Sequence, residues 1–311
     1  MAVGADLVTF FSPQFWKVRS EDEVVAYAMA EGSAFWSRMF DCLRDAGVRG
    51  LELTFPPFDR EGAVAAFGSE AALAAALRTR GLEVWSCFFA DLDRIPVTEY
   101  ATREDEILSN VVRTARFLAA MGGRVLVVGL PCRTTFLSEP PAFVDLDFAT
   151  PIANLLNRMG ACAAREGISL ALHTEASSVF CASRDVDLFM LLTDPRYVGL
   201  CPDPAHLTIE GGDPVAVVAR HLDRVVAMHW KDAAGIMPPD IVIDTTIHAQ
   251  HRPYFRELAH GSVDFDALAA LLAKAPLRCG PILELDACAD PVPVLRRGAA
   301  FALERIGTKR V

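Results

Sequence analysis

Four stretches of the sequence close an apolar run on side chains that can bind cations or move protons. They are Leu170-Ala-Leu-His173-Thr-Glu175, Gly199-Leu-Cys-Pro-Asp203-Pro-Ala-His206, Val225-Val-Ala-Met-His229-Trp-Lys231-Asp232 and Ile282-Leu-Glu284-Leu-Asp286. An ionisable group at the end of an apolar segment is costly unless it is paired or bound to a metal. One such segment is ordinary; four in succession point to a convergent site. Imidazoles and carboxylates together suit one divalent ion, Mn2+ first, with Co2+, Mg2+, Zn2+ or Fe2+ as alternatives. Such an ion, beside a carbonyl and an adjacent hydroxyl, acidifies the carbon between them by stabilising the oxygen on which charge develops. A nearby carboxylate or imidazole then removes the proton. Returning it to the other face epimerises the carbon, and returning it to the neighbouring carbon isomerises an aldose to a ketose. Expelling a β-hydroxyl dehydrates the substrate.

These residues need a scaffold that brings strand ends together. Apolar runs that read as strands cover Leu7–Phe11, Gly50–Phe55, Glu83–Phe89, Arg124–Leu130, Ser169–His173, Val198–Cys201, Val225–His229 and Pro281–Leu285. Helical patterns alternate with them, over Val24–Ala46, Ala63–Arg80, Glu104–Met121, Pro151–Glu166, Asp185–Leu192, Pro214–His221, Phe265–Ala273 and Val292–Ile306. Gly47, Gly81, Gly122 and Gly167 follow helical patterns, where glycine readily takes the left-handed cap. Alternating β and α units predict a parallel sheet, and eight of them an α/β fold of the (β/α)8 TIM-barrel type, one domain over residues 1–311. An open doubly wound sheet is disfavoured, because neither a GxGxxG nor a GxxxxGK[ST] motif is present. The segments Cys132–Thr150 and Ala233–Ser262 are too long for plain connectors. Both follow strand ends, on the face where a barrel keeps its chemistry, and the second carries His248, His251, Arg252, Arg256 and His260.

Composition narrows the class. The chain has 311 residues, 52% hydrophobic and 23% charged, so a large core is available and disorder is excluded. No uncharged run exceeds ten residues, too few for a membrane span. A net charge of −10 opposes nonspecific attraction to nucleic acid or an anionic membrane. The expected partner is a small molecule; association of copies is compatible with the apolar composition. Eight cysteines without a CxxC pair read as reduced thiols of a cytoplasmic protein, and Met1–Asp6 lacks the basic start of a secretory signal.

The chemical stretches also carry a resemblance. Gly199-Leu-Cys-Pro-Asp203-Pro-Ala-His206-Leu resembles the "GlclDxgH" strand of the xylose-isomerase-like TIM-barrel superfamily. Asp223-Arg-Val-Val-Ala-Met-His229-Trp-Lys231-Asp232 is similar to its "dRixhvHlKD" strand, His260-Gly-Ser-Val-Asp-Phe to its "GxGxvdf" loop, and Leu283-Glu284-Leu-Asp286 to its closing "vElD". That superfamily includes sugar isomerases and epimerases, inosose and dehydroshikimate dehydratases, and endonuclease IV. The resemblance implies one divalent ion held by a residue from each of strands five to eight: Asp203, His229 and Glu284, with Glu175 as the fourth and His173 as its alternative. It implies an isomerase or epimerase acting next to the carbonyl of a monosaccharide or polyol ketone. A lyase of the same superfamily, an inosose-type or dehydroshikimate-type dehydratase or a β-eliminase of a keto-sugar, is the second reading. Glu175, Glu284, His173 and Lys231 are then the expected catalytic groups. His206, Glu52, Arg252 and Trp16 are the expected contacts of a sugar or cyclitol substrate, Trp16 as part of an apolar wall. Multinuclear phosphodiester cleavage is disfavoured, because all seven histidines lie after residue 172.

Overall fold

A computed structural model describes residues 2–133 and 143–307. Eight parallel strands run Gly4–Asp6, Gly50–Leu53, Glu83–Phe89, Val125–Val128, Ser169–His173, Val198–Cys201, His229–Trp230 and Ile282–Leu283. The first six pair in sequence order, the first also pairs with the eighth, and the eighth with the seventh. An isolated parallel bridge between Leu200 of the sixth strand and Val225, four residues before the seventh, closes the ring. This is the expected (β/α)8 barrel.

Several bounds differ from the sequence reading: the second, fourth and eighth strands are shorter, and the seventh, read as Val225–His229, is His229–Trp230. The first strand ends before Leu7; Leu7–Phe10 instead forms a 3-10 turn, because the Asp6 carboxylate accepts the Val8 amide at 2.6 Å and caps it. Each of the first two long helical patterns is two helices, Glu21–Ala30 with Gly32–Ala46 and Arg60–Phe67 with Glu70–Arg78. The second break falls at Gly68, whose φ of +80° ends one helix before the Ser69 hydroxyl caps the next. Of the segment 132–150, residues 134–142 lie outside the described residues, and its last part is helical: Asp145 caps a helix over Leu146–Arg165.

Strand alternation separates two cores. Leu126, Val128, Leu170 and Leu172 face the helices, where Ile107, Val111, Ala115 and Leu118 of helix Glu104–Met121 form one buried stripe. Val125, Val127, Ala171, Cys201, Ala227 and Ile282 form a separate cluster of smaller side chains, at most 1% exposed, that fills the barrel. At the opposite end from the strand C-termini, Trp85 lies over glycines: a Cβ on Gly50 would stand 2.0 Å from its ring, and one on Gly4 2.8 Å. At the C-terminal mouth, Asp232–Ala233 pairs antiparallel with Phe255–Arg256. The chain between them, with the short helix Ile247–His251, folds back over the opening. All eight cysteines are free. Among the described residues, no helix is long and apolar enough to cross a membrane.

Candidate metal centre

Four of the residues that fill the barrel have a polar side chain two positions further along. Ala171 leads to His173, Cys201 to Asp203, Ala227 to His229 and Ile282 to Glu284. Side chains two apart on a strand share a face, so four strand ends deliver these groups to one level, just above the packed interior. His173 Nε2 lies 3.7 Å from Asp203 Oδ2, and His229 Nδ1 lies 3.9 Å from that oxygen and 2.6 Å from Glu284 Oε2. One ligand atom from each of the four falls within 4.8 Å of the others. His173 Nε2, Asp203 Oδ2, His229 Nδ1 and Glu284 Oε2 are all buried without a hydrogen-bond partner. Such groups are costly together unless positive charge sits among them. Two imidazole nitrogens and two carboxylate oxygens fit a divalent ion.

The surrounding residues hold this set in place. Asp203 is the N-cap of helix Pro204–Ile209: its Oδ1 accepts the Ala205 and His206 amides at 2.8 and 3.1 Å, leaving Oδ2 for the centre. His229 Nε2 meets Glu52 Oε1 at 2.9 Å, so its Nδ1 faces Glu284. Glu52 is fully buried and also accepts the Ser86 hydroxyl. Burial works against its ionisation, but His229 and the hydrogen bonds from His229, Asp6 and Ser86 hold its pKa below the usual range. Asp6 is the reverse case. Burial and the charges of Glu284 and Glu52 raise its pKa well above the usual carboxylate range. Burial favours a neutral His229, yet Cys201, Glu52 and Glu284 push its pKa well up.

Lys231 stands two residues beyond His229 and is 1% exposed. Its Nζ lies 2.7 Å from both Glu284 Oε1 and Asp286 Oδ1 and 3.9 Å above the Phe255 ring. Burial opposes its charge, but Asp286 and Glu284 raise its pKa well above the ordinary lysine value. His206 receives the Ala176 amide on Nδ1 at 3.1 Å, and its Nε2 lies 3.1 Å from Lys231 Nζ and 3.5 Å from Glu175 Oε1. Burial and Lys231 hold His206 neutral.

Glu175 lies beyond the end of strand five. One of its oxygens is 3.4 Å from His173 Nδ1; the other faces His206, His248 and His251. The structure thus groups His173 with Asp203, His229 and Glu284, and groups Glu175 with His248 and His251. Burial resists its ionisation, but His248, His173 and Lys231 hold Glu175 at about 2. The groove above the centre encloses about 710 Å³ and is walled by apolar Val8, Phe11, Phe88, Ile243 and Ile247. Arg252 lines it, paired with Glu21 at 2.6 Å. Glu52 sits behind His229 and does not line it. Nor does Trp16, which stacks on Phe35 at 4.1 Å and donates its indole N–H to the Phe10 carbonyl at 2.8 Å, within the outer core. Asp6 and Ser86 escaped sequence reasoning. An acid two residues after Gly4, at the level of Glu52, is the signal for Asp6 once the first strand is placed correctly.

A closed eight-stranded barrel with buried imidazoles and carboxylates at its C-terminal mouth defines a metal-dependent TIM-barrel enzyme. The chain belongs to the xylose isomerase-like TIM barrel family, whose model matches residues 40–304. It is 25% identical over 283 residues to an inosose dehydratase of Bacillus cereus (strain AH820), spanning 83% of this chain and 92% of that one. Its fold is similar to that of an L-ribulose 3-epimerase, with a TM-score of 0.68 and 18% identity, covering 100% of this chain and 96% of that chain. It is also similar to a xylose isomerase-like TIM barrel protein from Mycobacterium smegmatis in complex with magnesium, with a TM-score of 0.69, 15% identity, and coverage of 100% and 98%.

Proposed function

We propose that this protein is a divalent-metal-dependent dehydratase of a cyclic polyol ketone, an inosose-type substrate, and not an isomerase or epimerase. The observation that carries the choice is its likeness to an inosose dehydratase over 92% of that relative's length. His173, Asp203, His229 and Glu284 are the residues that would hold the ion, with Mn2+ the ion we assign first. When bound, the ion supplies Lewis-acid stabilisation of the substrate's carbonyl oxygen.

The protein's own residues do the rest. Glu175 is ionised and lines the groove, so it takes the proton from the carbon next to the carbonyl. Lys231, held protonated, donates a hydrogen bond to the oxygen on which charge develops. His248, raised to about 11 by hydrogen bonds to Cys132 and Glu175, carries a proton at the groove and gives it to the hydroxyl on the next carbon as that C–O bond breaks. Water leaves, a conjugated carbon–carbon double bond forms, and Glu175 returns its proton to His248, 3.5 Å away. Free thiols throughout support a reducing compartment, and we place the protein in the cytoplasm.

The test incubates the metal-loaded protein with a panel of inososes and free ketoses and follows ultraviolet absorbance and chromatography together. A conjugated ketone should form from an inosose. Interconversion of ketoses without water loss would return the chain to the isomerase reading.

A further inference from the structure

Beside the centre stands a second set of donors. Glu175 Oε1 lies 3.5 Å from His248 Nδ1 and 3.8 Å from His251 Nδ1, and one ligand atom from each of the three falls within 4.8 Å of the others. Two ligands at about 2.0–2.2 Å from a tetrahedral zinc ion are separated by about 3.3–3.6 Å. The observed spacings are close to the edges of such a coordination shell. His251 is 1% exposed, and its Nε2 engages the Ser177 hydroxyl at 3.2 Å, which aims Nδ1 at Glu175. Histidine ligands are commonly fixed in this way through their other nitrogen. His206 is no part of the set, because its Nδ1 receives the Ala176 amide at 3.1 Å and its Nε2 is engaged by Lys231 at 3.1 Å.

We propose that Glu175, His248 and His251 form a second cation site, of zinc type, that ties the segment over the barrel mouth to the barrel itself. Two ligands come from the helix Ile247–His251 and one from the loop after strand five. Two imidazoles with one carboxylate select zinc over magnesium, and three protein ligands leave one position open to water in the groove. Zinc there displaces the His248 proton and occupies the Glu175 lone pair. The ion therefore takes both groups that the dehydratase reading uses for proton transfer, and zinc beyond the first equivalent inhibits.

Equilibrium dialysis of the full chain against zinc, read by elemental analysis, tests this without recourse to activity. The wild type should bind about two ions per chain, and His248→Gln about one, because two protein donors hold zinc poorly. Asp203→Ala should lose the ion of the first centre and keep the second. His248 is half-exposed, so its replacement leaves the fold intact, which melting at one equivalent checks. His260→Gln, at an exposed histidine, should still bind two. Cobalt in place of zinc should give a second tetrahedral absorption band that His248→Gln lacks. A wild type that saturates at one ion, or a His248→Gln variant that still binds two, overturns the proposal. Binding is read apart from turnover, so failure of the dehydratase reading leaves this result unchanged.

Discussion

Lys231 is a cation buried between Glu284, a proposed ligand of the ion, and Asp286, and its removal separates two duties. Lys231→Met should leave the ion in place, since lysine is no ligand while protonated. Turnover should fall by about 100–1,000-fold, the usual loss for one donor to a developing oxyanion. The fold should also weaken, because Glu284 and Asp286 lose their buried partner. Elemental analysis, steady-state kinetics and a melting curve on the same preparation check all three. Normal turnover would reduce Lys231 to an ion-pair partner. The fourth position of the centre shows where residue-level reading runs out. His173 and Glu175 are two apart, so a continuous strand would aim both into the mouth. The strand ends at His173, and past its end the alternation no longer governs direction.

At the scale of elements, strands three, five and six were legible to the residue, because β-branched and apolar runs bounded by glycine or polar residues leave little choice. The first strand was not. Leu7–Phe11 looks more like a strand than Val3–Asp6 does, and only the Asp6 cap turns it into a 3-10 segment. That shift also hid Asp6. The cover built from 233–262 was legible as an over-long, histidine-rich connection; its path was not, since it depends on the two-residue pairing with Phe255–Arg256. The glycines under Trp85 give this scale its own test. Gly50→Ala forces a methyl group into the indole, and overpacking of this kind costs about 1–3 kcal/mol. Denaturant unfolding should show that loss while metal content per folded chain is unchanged. An unaltered midpoint would mean that Trp85 swings aside freely.

For the whole molecule, the unpartnered atoms of the proposed centre would make a bound ion part of the fold's stability. A ligand that binds only the folded state at a thousandfold excess over its Kd adds about 4 kcal/mol. Chelation should therefore lower the melting temperature by several degrees and re-addition of manganese restore it, whereas Asp203→Ala should respond little to manganese. Equal melting with and without the ion would argue against a centre at these four residues. The barrel's packed interior has a different consequence. Val125, Val127, Ala171, Cys201, Ala227 and Ile282 pack the barrel between the mouth and Trp85. The groove above them is lined in part by the helix that carries His248. On the dehydratase reading, reactant and product would share this one groove, and residues 233–262, which line part of it, would bear on the pace of their exchange.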